Sequence, residues 1–146
     1  MTDRTRLMQG VIPYLAMEDA RAAIAFYEKA FGAEIDGEVT AFPDTDKVAN
    51  AGLIINGGMM MLSDHFPEMG QPPAKGGLGY TMQLVVSDGD LWWSRAVEAG
   101  CAVVTPFAMQ FWGDRYGQLR DPFGIDWAIN APSPENIALA AANQRT

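Results

Sequence analysis

Few side chains in this sequence are equipped for proton transfer or covalent chemistry. Its 146 residues include one histidine, His65, and one cysteine, Cys101. An imidazole with a pKa of about 6.5 can serve as a general base. His65 lies in Ser63-Asp64-His65-Phe66-Pro67, just past a predicted strand, and reads as a loop histidine that bonds locally. Cys101 follows Gly100 at a predicted helix end and reads as a packed, inert thiol. One cysteine and one histidine also exclude an intrachain disulfide and a Cys/His zinc site within the chain. The densest chemistry is in Trp112, Arg115 and Tyr116. An aromatic, a guanidinium and a phenol so close together can stack on and pair with an anionic or planar ligand. Alternatively Arg115 bridges Asp114 or Asp121 and holds a hairpin while Trp112 covers the core. Met59, Met60 and Met61 resemble an adaptable binding surface, but consecutive strand residues face opposite sides, so core filling is expected.

Composition narrows the classes further. Ten bases against 18 acids give a net charge of −8, which argues against a protein that tracks nucleic-acid phosphates. With 49% apolar and 19% charged residues, the chain can bury a core. The start, Met1 to Arg6, is polar and no signal-like apolar region follows. No run approaches the roughly 20 apolar residues of a spanning helix. A soluble, cytoplasmic protein with no membrane partner is expected.

The elements that would position these residues occur twice. Asp19 can cap a helix over Ala20 to Phe31, whose apolar residues recur at helical spacing, and Gly32 ends it. A short strand, Val11 to Ala16, precedes it, with Pro13 suggesting a sheet edge. Further on, Tyr80 to Val86 reads as a strand, Asp88 or Ser87 as a cap, and Asp90 to Ala99 as a helix with Trp93, Ala96 and Val97 on one face. The matching phrases are offset by 69 residues at the cap and 68 at the closing glycine, close to half the chain. Strands follow each helix: Glu34 to Phe42, Val48 to Ile55 and Met59 to Ser63, then Ala102 to Thr105, Tyr116 to Arg120 and Ile125 to Asn130. Asn56-Gly57 predicts a type I′ hairpin, and Asp121-Pro122-Phe123-Gly124 a turn. Asp64 to Gly79 and Pro106 to Asp114 read as loops. Ser133-Pro134-Glu135 opens a short C-terminal helix at about 133–143. The expectation is one α+β domain over 1–146, built from βαβββ modules at about 10–64 and 79–130.

Pro13-Tyr14-Leu15, Asp19-Ala20, Phe26-Tyr27 and Phe31-Gly32-Ala33-Glu34 resemble the opening of PhnB-like proteins of the glyoxalase/bleomycin-resistance/dioxygenase group, the vicinal oxygen chelate superfamily. The resemblance continues through Met61 to Asp64, Phe111 to Gly117, Asp121 to Gly124 and Trp127. It implies two modules whose curved, mostly antiparallel sheet surrounds a cup, and a homodimer. Metal-dependent members carry four inward ligands, and those positions fall here on Ile12, Asn50, Thr81 (or Gln83) and Ala128. This set cannot hold a transition metal well, so no cofactor is expected. Tyr14, Asn50, Thr81, Gln83, Trp112, Arg115, Tyr116 and Asp126 are the candidate cup residues for a small-molecule ligand. The alternatives are an enzyme of glyoxalase or dioxygenase type with displaced ligands, and a protein-interaction module with a vestigial cup.

Overall fold

The structure, a computed structural model, describes residues 8–70 and 72–143. The polar start Met1–Arg6 therefore lies outside the described residues. The chain divides into two compact units, Met1–Lys75 and Gly76–Thr146.

In the first unit, β1 (Tyr14–Met17) leads into α1 (Ala20–Phe31), followed by β2 (Glu34–Ala41), β3 (Val48–Ile55) and β4 (Gly58–Asp64). The sheet order is β1-β4-β3-β2, with β1 parallel to β4 and the other pairs antiparallel. Asp19 caps α1, its carboxylate accepting from the Ala22 amide, and Gly32 closes it in the left-handed region at φ 64°. The predicted helical stripe is the buried one: Ala20, Ala23, Ile24, Tyr27, Ala30 and Phe31. Asn56 (φ 51°) and Gly57 (φ 77°) make the β3–β4 turn, as a type I′ hairpin requires. Pro13 stands just before the edge strand β1, and its carbonyl accepts from the Met61 amide.

The second unit repeats the order with β5 (Met82–Val85), α2 (Gly89–Ala99), β6 (Ala102–Met109), β7 (Arg115–Arg120) and β8 (Asp126–Ala131). Its sheet runs β5-β8-β7-β6 with the same parallel pair, β5 and β8. Asp88 caps α2 through the Leu91 amide. The described molecule is thus α+β, with two mixed four-stranded sheets and no closed barrel. Helix α3 (Pro134–Asn143) follows, and the Ser133 hydroxyl accepts from the Asn136 amide as its cap.

Two expectations need correction. Segment 106–109 is not loop, because β6 continues to Met109. Pro106 is tolerated because β6 is an edge strand and its register slips between Thr105 and Ala108. The α2 stripe also differs: Ala96 is buried with Gly89, whereas Val97 is 37% exposed. Helix α2 rests on the sheet through Gly89, Ala96 and the half-buried Trp93, whose ring lies 5.5 Å from that of Phe107.

Candidate functional site

Each sheet has a helix side and a helix-free side, and strand alternation assigns residues to them. In the first unit Asp64 reaches the helix: Oδ1 accepts from the Ala20 amide at 2.8 Å and Oδ2 from the Val48 amide at 2.7 Å. Asp64, Leu62 and Met60 therefore face α1, and Met59, Met61 and Ser63 face away. Register carries that assignment across the sheet. Met61 pairs with Tyr14 and Gly52, Met59 with Ile54, Gly52 with Asp36 and Thr40 with Asn50. The helix-free face thus holds Tyr14, Asp36, Thr40, Asn50, Gly52, Met59 and Met61.

A hollow of about 320 Å³ opens on that face, lined by Asp36, Thr40, Asn50, Gly52, Met59 and Met61, with Met8 and Glu38 beside them. Its shape follows from local sequence. Gly37, at φ 72°, sits where the β2–β3 register breaks between Asp36 and Thr40, a bulge that bends the strand. Gly52 contributes no side chain to the floor. The Asn50 Oδ1 is buried without a partner among the described residues, whereas the Tyr14 hydroxyl donates to the Ala49 carbonyl at 3.1 Å. Met59 and Met60 are buried, 8% and 3% exposed, as core filling requires, and only Met61 is half-buried; Met59 and Met61 also border the hollow.

In the second unit the Arg115 guanidinium reaches Asp90 on α2, at 2.8 and 3.1 Å, and lies 4.4 Å from the Phe107 ring centroid. Arg115, Gly117 and Leu119 therefore face the helix, and Tyr116, Gln118 and Arg120 face away. Arg115 thus pairs with neither Asp114 nor Asp121, and it stands on the opposite face from Tyr116. Asp90 is held below its ordinary value of 3.8 by the hydrogen bonds and charge of Arg115. On the helix-free face, Thr105 Oγ1 donates to Gln118 Oε1 at 3.2 Å, and Gln118 Nε2 to the Tyr116 hydroxyl at 3.0 Å. Trp112 packs edge-on to Tyr116 at 5.6 Å and is 42% exposed. Gln83 and Ala128 are register partners on this face, and Thr81, just before β5, is exposed.

Asp126 shares the face but is engaged. Its carboxylate accepts from Arg120 at 2.7 Å and from the Gly77 amide at 2.7 Å. The Arg120 hydrogen bond is the main reason its pKa is lowered. Asp114, which sequence reasoning treated only as an Arg115 partner, accepts from Asn136 Nδ2, the Ser133 amide and Asn130 Nδ2. Those bonds, Asn136 foremost, lower its pKa. Its role is to anchor the start of α3. The Ser133-Pro134 cap pattern was the available signal for that contact, but the acceptor is distant in sequence.

The lone histidine and cysteine can also be placed. The His65 amide donates to the Met17 carbonyl. Its ring is half-buried, Nδ1 has no partner among the described residues, and it borders a depression of about 280 Å³ with Glu18, Asp19, Asp46, Lys47 and Asp64. Cys101 is buried, and burial, with a smaller effect from Asp121, pushes its thiol up to about 12. Among the described residues, no three His, Cys, Asp or Glu gather as a possible metal-holding group. No helix among them is long and apolar enough to cross a membrane.

Comparison with known proteins agrees with this architecture. An uncharacterized protein of Mycobacterium tuberculosis (strain ATCC 25618 / H37Rv) is 44% identical over 84% of this chain and 74% of its own length. A Pseudomonas aeruginosa protein of known structure is 26% identical, with a TM-score of 0.65 over 84% of this chain and 96% of that one. A PhnB protein from Bacillus cereus shares the fold, with a TM-score of 0.62 at 18% identity over 83% of this chain and 98% of that one. The model of the Glyoxalase/Bleomycin resistance protein/Dioxygenase superfamily matches residues 10–129. With this match covering most of its length, the chain belongs to that superfamily.

Proposed function

We propose that the protein binds a small molecule on the helix-free faces of its sheets and does so without a catalytic metal. The observation carrying this reading is the first unit's hollow, where an apolar floor meets the buried, unpartnered Asn50 Oδ1. Buried acceptors normally have partners, so this oxygen suits a site completed by a ligand. The exposed Trp112 and the Tyr116–Gln118–Thr105 chain give the second unit a comparable surface for a flat group. Tyr14, Gln83 and Thr81 belong to the proposal as flanking contacts. Arg115 and Asp126 are left out because Asp90 and Arg120 hold them.

The residues do not fit a transition metal. At the positions the resemblance assigns, Ile12 and Ala128 offer no donor atom, Asn50 offers an amide, and Thr81 a hydroxyl. Divalent transition ions are held by imidazole, thiolate or carboxylate ligands. No step of metal-assisted isomerisation or ring cleavage is therefore assigned to this chain.

Differential scanning fluorimetry tests the reading, using Zn²⁺, Ni²⁺ and Mn²⁺ in one arm and aromatic amines, alcohols and acids in the other. Saturable stabilisation by members of the second arm alone is expected. A rise of several degrees with one metal ion, abolished by EDTA, overturns the metal-free reading. The proposal includes the homodimer, and sedimentation of only a 15.8 kDa species overturns that part.

A further inference from the structure

We propose that the hollow on the helix-free face of the first unit is a subsite for the protonated amine of a small amphipathic ligand. This inference rests on the small-molecule reading above and names the ligand class. The floor is made of Met59 and Met61, whose thioethers repack around apolar groups of varied shape. Gly52 keeps the floor open: a Cβ there would stand 3.3 Å from the Met59 sulfur and 3.6 Å from the Asp36 Cβ. Beyond the floor, the buried Asn50 Oδ1 is a pure acceptor with no protein donor among the described residues. A ligand recovers its lost hydration only by bringing an N–H or O–H group.

Charge then separates the donors. Glu38 stands at the exposed rim, and none of the described residues lining the hollow is Lys, Arg or His. An ammonium group gains from the Glu38 carboxylate and makes a charge-assisted bond to Asn50. An alcohol makes only the neutral bond. A carboxylate would bring acceptors to an acceptor and negative charge to a negative rim. The occupant with the best match carries an ammonium head at Asn50 and an apolar body on Met59 and Met61.

The test uses the full chain with 13C-labelled methionine methyls, assigned through Met59→Leu and Met61→Leu. Phenethylamine, 2-phenylethanol and phenylacetate are titrated as probes of one shape and three charges. The amine should shift the Met59 and Met61 signals saturably. The alcohol should bind about tenfold more weakly, and phenylacetate should leave both signals in place. Gly52→Val, which fills the hollow, should abolish the amine response. Asn50→Leu combined with Glu38→Gln should bring amine and alcohol to within about twofold of each other.

Equal or tighter binding of the alcohol at these methyls overturns the inference, as does an amine response that survives Gly52→Val. Silence of both methyls toward all three probes also overturns it. If a fluorimetry hit instead moves only Trp112 and Tyr116 signals, this subsite fails while the small-molecule reading stands.

Discussion

Strands β3 and β7 occupy equivalent places in the two units, each between the strand parallel to the first strand and the edge strand. Register makes Asn50 the counterpart of Tyr116, and Gly52 the counterpart of Gln118. In β7 both positions carry long side chains that satisfy one another and Thr105. In β3 a short amide stands beside a glycine, leaving space and an unpaired oxygen. One scaffold has thus produced a hydrogen-bonded row of side chains in one copy and a glycine-floored hollow in the other. Duplication fixes backbone register, while the identity of two side chains decides what that face presents.

The hairpins ending these strands differ in the same sense. The β3–β4 turn relies on backbone conformation at Asn56 and Gly57. The β7–β8 turn is built around the buried Asp121, which accepts from the Phe123 and Ile125 amides and from Trp127 Nε1, all within 3.0 Å. Replacing Asp121 by Ala strands these donors and should cost about 3–5 kcal/mol in urea unfolding. Gly57→Ala should cost only about 1 kcal/mol, for a side chain placed in the left-handed region. Similar losses for the two variants would break the contrast.

Glycine substitutions probe the space on each side of the sheets. A Cβ on Gly117 would lie 2.6 Å from the Trp93 ring and 2.8 Å from the Phe107 backbone; on Gly89 it would lie 2.5 Å from Phe107. Gly117→Ala and Gly89→Ala should each destabilise by about 1–3 kcal/mol. Gly52→Ala is tight only against the Met59 sulfur, at 3.3 Å, with ordinary contacts to Asp36, and should stay within about 0.5 kcal/mol of the parent. A costly Gly52→Ala would mean that the hollow is tightly packed.

Acid should also tell the units apart. The carboxylates with clearly lowered pKa values among the described residues are Asp90, Asp114 and Asp126, all in the second unit. Their folded values lie below the ordinary 3.8, so the stability they contribute is intact above that pH. It is lost as pH falls through the folded values. Amide exchange below pH 3.8 should therefore rise first around α2, β7, β8 and α3. Earlier opening of the first unit would contradict the assignment.

The smallest effect concerns Cys101. With its thiol pushed up to about 12, it should remain unmodified by Ellman's reagent in native protein at neutral pH and react only after denaturation. Rapid labelling of the native chain would show an open environment around α2's C-terminus.

Most of the secondary structure was legible because its signals are local. Asp19 and Gly32 bracket α1 at the predicted residues, and Asn56-Gly57 turns where expected. The duplicated order of strands and helices was legible too, because cap, helix and closing glycine recur at a fixed offset. β6 was harder: Pro106 signals loop locally, and only its place at the sheet edge lets the strand run on. The candidate site was read less well. Tyr116, Asn50 and Gln83 stand on helix-free faces, but Arg115 faces the helix, where its partner Asp90 lies 25 residues away in sequence and beyond any local pattern.

The sequence alone determined the two βαβββ units and their capped helix starts, since each depends on residue type and short spacing. Tertiary structure alone decided which carboxylate holds Arg115, which methionines border the hollow, and that Gly52 and Asn50 line a hollow where Gln118 and Tyr116 bond to one another. Those outcomes depend on strand register and on which face meets the helix. A register shift of one residue would exchange every such contact, and no local pattern of residues specifies the partner across the sheet.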